Sequence, residues 1–119
     1  MRALWASGFL VAGACMAQAG QISGTYADEA GCGRLAGLPD SGDVLFILTP
    51  ERVERYESSC AITDIEMQDG VPTVLQVACE GEGETWTDSY LIAPLPEEDG
   101  FMVSPSEAPE IEFELRRCP

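Results

Sequence analysis

Apolar residues fall along this chain in short runs and two-residue alternations, the pattern of strands rather than of helices. The cleanest alternation is near the C-terminus, where Ile111, Phe113 and Leu115 interleave with Glu112, Glu114 and Arg116, one face dry and the other wet. Thr85 to Ile92 alternates Trp86, Asp88 and Tyr90 with Thr87, Ser89 and Leu91, and reads as a second strand. Val44-Leu45-Phe46-Ile47-Leu48 is continuous and bounded by Gly42-Asp43 and Pro50, which predicts a strand buried on both faces. Arg52 to Glu57 reads as its hairpin partner; a short helix over Pro50 to Ser58, with Pro50 in the first turn, is the alternative. Short strands are expected around Tyr26 and over Phe101 to Val103. Asp28 to Asp43, rich in Gly, Pro and Asp, reads as a loop, and so does Ser104 to Pro109.

The strongest local signal lies between Cys60 and Cys79. Ala61 to Met67 and Thr73 to Ala78 flank Asp69-Gly70, a favoured two-residue hairpin turn because both central positions need positive φ. With Asp69 and Gly70 in the turn, counting back along both arms sets Cys60 opposite Cys79. A hydrogen-bonded antiparallel pair separates Cα atoms by about 5.5 Å, a span that a disulfide bridges. The expected bridges are therefore Cys60–Cys79 and, by remainder, Cys32–Cys118. Strands at hairpin spacing without βαβ alternation predict an all-β fold, a small antiparallel β-barrel or sandwich of about 6–8 strands with two disulfides.

That framework requires an oxidising compartment, and the N-terminus supplies the address. Met1-Arg2, the apolar run Ala3 to Ala14 and the small residues of Ala17-Gln18-Ala19 read as a secretory signal cut after Ala19, leaving 20–119 as one domain, periplasmic or secreted. The apolar run is shorter than the ~20 residues of a membrane span. Ala12-Gly13-Ala14 before Cys15 gives lipoprotein processing as the rival, with a lipid anchor on Cys15, although such signals usually carry Leu where Ala12 stands.

Charge and missing residue types narrow the chemistry. The 119 residues carry 21 acids against 6 bases, a net charge of -15, with no histidine. Every base is arginine. Without histidine there is no Ser-His-Asp triad, Cys-His pair or imidazole metal ligand, and without lysine no Schiff base. Nucleic acid and anionic membrane surfaces would be repelled. No cofactor motif is present. Oxidised cysteines are not nucleophiles.

What remains is carboxylate chemistry and the surface field. Glu80, Glu82 and Glu84 could surround Ca²⁺ as a cation-binding or structural envelope protein would use them, but the EF-hand spacing is missing, as it is in Asp40-Ser41-Gly42-Asp43 and Glu97-Glu98-Asp99. A glycan hydrolase needs two acids in unlike environments; Asp64 with Glu66, or Asp88 between Trp86 and Tyr90, are the candidates. Such neighbourhoods arise by chance in so acidic a chain, and no enzyme activity is expected. A field this negative attracts cationic partners. In size, signal, disulfides and strand count the chain resembles small exported bacterial inhibitors built on compact β-barrels. The resemblance implies a periplasmic binding module inhibiting a basic cell-wall hydrolase or protease. Its expected contact segments are Glu80 to Glu84 and the stretch containing Ser104, Pro105, Ser106 and Glu107.

Overall fold

Eight antiparallel strands follow one another in chain order and the first pairs with the last, closing the sheet into a barrel. The computed structural model describes residues 22–39 and 45–119. The stretch read as a secretory signal, with Cys15, and residues 40–44 lie outside them. The strands are β1 (Tyr26–Ala27), β2 (Ile47–Leu48), β3 (Arg52–Glu54), β4 (Ser59–Gln68), β5 (Val71–Gly81), β6 (Glu84–Pro94), β7 (Gly100–Pro105) and β8 (Phe113–Arg117). Inward-facing side chains fill the barrel, among them Phe46, Leu48, Val53, Leu75, Val77, Val103 and Leu115. Among the described residues no helix is long and apolar enough to cross a membrane.

One helix departs from the expected loop after Asp28. α1 (Glu29–Leu35) starts where the Asp28 carboxylate accepts from Gly31 N–H at 2.8 Å, satisfying a free first-turn donor. The helix packs on the outside of the barrel, where Ala30 and Cys32 cover Ala27, Leu45 and Ile47. This explains the continuous apolar run: Phe46 and Leu48 face the barrel interior, while Leu45 and Ile47 face the helix. The Cys32–Cys118 disulfide, with a Cα separation of 5.4 Å, ties α1 to the end of β8.

The Cys60–Cys79 bridge forms as the hairpin register requires, by a less direct route. Asp69 and Gly70 take positive φ of 55° and 78°. The register slips at Thr63 on β4 and slips back at Thr73 on β5, so the two bulges cancel before Cys60 meets Cys79. Each bulge is closed by its threonine hydroxyl, Thr63 donating to the Gln76 carbonyl at 3.1 Å and Thr73 to that of Glu66 at 3.2 Å. The first bulge lets Ile62 and Ile65, three residues apart, both pack against the core. The cysteine pair differs from expectation in kind. Ser106 N–H donates to the Ser89 carbonyl, and the alternation this sets along β6 directs the backbone of Trp86 toward Cys79, so Cys79 turns its own backbone groups away from Cys60. A non-hydrogen-bonded pair is the closer kind, and the Cα atoms are 3.9 Å apart.

Several boundaries also move. β3 ends at Glu54, short of Glu57, and no helix forms over Pro50 to Ser58. Ser104 and Pro105 belong to β7 rather than to a loop, and Ile111 is exposed ahead of β8.

Candidate functional site

Strand direction sorts the connections onto two ends of the barrel. One end carries the β3–β4 connection, the β5–β6 turn and the β7–β8 connection; the other carries the β2–β3, β4–β5 and β6–β7 connections. The first end holds an open cup of about 540 Å³.

Its floor is the Cys60–Cys79 disulfide with Arg55 and Tyr90, and its wall is Tyr56, Glu57, Ser58, Trp86 and Asp88. Trp86 and Asp88 continue the inward-facing series of Tyr90 and Ile92, but they stand beyond the last β7 residue paired with β6, Pro105 opposite Tyr90. Past that point β6 runs on to the turn as an edge strand paired only with β5, which itself stays paired with β4 as far as Glu80 opposite Ser59. The β3–β4 connection presses against the β5–β6 hairpin at Gly81, where a Cβ would meet the Glu57 carbonyl at 2.6 Å. Arg55 lies under the cup with its guanidinium 5.0 Å from the Phe46 ring and 4.7 Å from the Phe113 ring. It donates to the Leu45 carbonyl at 2.9 Å and to the Tyr90 hydroxyl at 3.2 Å. These contacts anchor its charge against aromatic faces and oxygen acceptors at the top of the core.

The acidic run Glu80 to Glu84 turns through two residues, Glu82 and Gly83, at φ 52° and 81°. Glu80 belongs to β5 and Glu84 to β6, on opposite faces of the sheet, since Glu84 opposes Gly81 while Glu80 opposes Thr85. Glu84 and Glu82 border the cup; together with Glu57, Ser58, Gly81 and Trp86 they line a smaller hollow beside it. Among the described residues no three acidic, cysteine or histidine side chains are grouped to hold a metal ion. Ser106 and Glu107 open the β7–β8 connection at this same end, and the Ser89 hydroxyl donates to that of Ser106 at 2.8 Å. Ser104 is buried within β7. Asp64 and Glu66 are exposed on the far part of β4, where Glu66 accepts from the Gln76 amide at 3.0 Å. The strand alternation identifies Trp86, Asp88 and Tyr90 as one face. Arg55, Tyr56 and Glu57 are missed, because only tertiary contacts, the Arg55 bond to the Tyr90 hydroxyl and the packing of Glu57 on Gly81, bring them to that face.

The opposite end concentrates arginine. Arg116 holds Glu98 through two hydrogen bonds of 2.6 and 3.2 Å and also contacts Glu114. Arg117 Nε donates to Asp99 at 2.6 Å, and its Nη2 donates to the Tyr26 hydroxyl at 2.7 Å. Bonding to these arginines lowers the pKa of Glu98 and of Asp99. Arg52 is engaged with Glu54 and Ser59 on the outside of β3 and β4. Comparison with protein-family models, characterised proteins and solved structures finds no match to this chain.

Proposed function

We propose that the protein is an exported binding module whose acidic, aromatic barrel end engages a cationic protein, the partner being a basic cell-wall hydrolase or protease that it inhibits. The observation that carries this reading is the cup itself. Exposed Trp86 and Tyr56 stand beside Asp88 and Glu57, with Glu82 and Glu84 on its border and Glu107, Glu110 and Glu112 on the adjoining connection. Aromatic faces flanked by carboxylates suit a guanidinium or ammonium group, which gains both ion pairing and cation–π contact. The side chains that fill the barrel favour recognition at its end over enclosure of a small molecule. The two disulfides fit the oxidising compartment in which such a partner acts.

The test is inhibition of a basic lysozyme-class hydrolase on peptidoglycan, with affinity measured across a salt series. Inhibition is expected to weaken as salt rises. Combining Glu84→Gln with Asp88→Asn is expected to cut affinity by roughly tenfold or more while leaving the melting temperature nearly unchanged. Absence of binding to basic hydrolases and proteases at low salt overturns the reading.

A further inference from the structure

Beside the cup, β6 has an open side. Ser89 is the last β6 residue bonded across to the β7 side, through its carbonyl and Ser106 N–H at 3.1 Å. Because backbone groups alternate along a strand, the N–H and C=O of Thr87 and Thr85 point the same way as those of Ser89, into space where β7 no longer runs. The β7–β8 connection folds on itself there, Ala108 N–H donating to Pro105 and Ile111 N–H to Ala108. Among the described residues no backbone bond links it to Thr85 or Thr87. Thr85, Trp86 and Thr87 are all exposed.

An unpaired strand side is a template for another chain, and proteins usually blunt it with bulges, proline or lysine. β4 does so: beyond Ile62 it has no β3 partner, and a bulge at Thr63 distorts it. β6 does not. From Glu84 to Tyr90 its register with β5 is unbroken, and Thr-Trp-Thr is strong strand-forming sequence. Its safeguard is electrostatic. If a second copy paired antiparallel about Trp86, Glu84 would face Asp88 twice, acid against acid at the closer, non-hydrogen-bonded positions. The same two acids favour a strand carrying positive charge opposite them.

We infer that the open side of β6 from Glu84 to Asp88 receives an extended segment of a partner protein as an added antiparallel strand, with basic side chains four residues apart facing Glu84 and Asp88. The inference rests on the proposed cationic partner and states how that partner docks. Thr85 and Thr87 supply the backbone bonds, and Trp86 packs against the residue midway between the two bases.

The probe is a heptapeptide with arginine at its second and sixth positions, valine at its fourth and threonine elsewhere, titrated into the intact protein at low salt. Binding is expected to protect the Thr85 and Thr87 amides from hydrogen exchange. Methylating the backbone nitrogens of the peptide's third and fifth residues keeps its charge and removes its donors to β6, and is expected to weaken binding roughly tenfold or more. Moving the two arginines to those positions is expected to weaken it as well. Equal binding by all three peptides overturns strand addition but leaves the acidic end as a cation-binding surface. Failure of all three to bind overturns strand addition, and the inhibition assay then decides the broader reading separately.

Discussion

Tyr26 is the residue through which the arginine-rich end answers to pH. Its ring is 3 % exposed, its hydroxyl donates to Asp99 at 2.8 Å, and the Arg117 guanidinium lies 4.8 Å above the ring. Burial raises the phenol pKa, and the bond to Asp99 raises it further. The folded protein therefore holds this proton more tightly than the unfolded chain. Its contribution to stability is complete below the unfolded value of about 10 and is lost as pH rises above that toward the folded value. Asp99 has the opposite sign: bonded to Arg117 and Tyr26, its folded pKa is lowered, so its contribution is present above about pH 3.9 and is lost as pH falls through the folded value. Melting curves of wild type and Tyr26→Phe between about pH 9 and 11 check the alkaline limb. Wild type is expected to lose stability more steeply there, although Tyr26→Phe starts about 1 kcal/mol lower at neutral pH for want of the hydroxyl's bonds. Parallel losses in the two proteins would refute it.

Among the elements, α1 is the one held by shape rather than by sequence pattern. Adding a Cβ to a helical glycine ordinarily helps by about 1 kcal/mol. At Gly31 that Cβ would lie 2.8 Å from the Ala27 side chain and 2.9 Å from that of Ile47. Gly31→Ala is therefore expected to destabilise by about 1–3 kcal/mol in urea unfolding, and a stabilised variant would show that the helix seat is not close-packed. The same seat explains why the helix was not legible. Its seven residues include two glycines and no run of apolar spacing, and only the Asp28 cap and the Glu29 and Arg34 charges marked its ends. The β4–β5 hairpin was legible because Asp-Gly names its own turn. Glu80 to Glu84 read as a turn too, but its two-residue length at Glu82-Gly83 was hidden by Gly81, whose absent side chain serves contact with Glu57 rather than the turn. At the site, alternation reveals which β6 side chains share a face. It carries no information about which distant connection completes the cup.

At the scale of the whole molecule, charge and closure are arranged separately. Arg116 and Arg117 balance acids at one end, whereas the cup end gathers carboxylates over the inward-held Arg55. The ladder that closes the barrel is short: β1 meets β8 only at Tyr26 with Arg117 and Ala27 with Arg116. Cys118 N–H adds a bond to the Thr25 carbonyl, and Cys32–Cys118 clamps the seam from outside. Replacing both cysteines by alanine is expected to cost about 4.5 kcal/mol on the chain-entropy account. Hydrogen exchange should then quicken first at the amide of position 118 and along β1 and β8, while β5 stays protected. Loss of protection spread evenly around the barrel would contradict this view of the seam. The two bridges have a further consequence under proteolysis. Every peptide bond between Cys32 and Cys118 lies within a loop closed by sulfur, so one cut there cannot separate the chain into pieces. A cut at the exposed tip of the β4–β5 hairpin would leave its halves joined by both bridges, and the nick would show only after reduction.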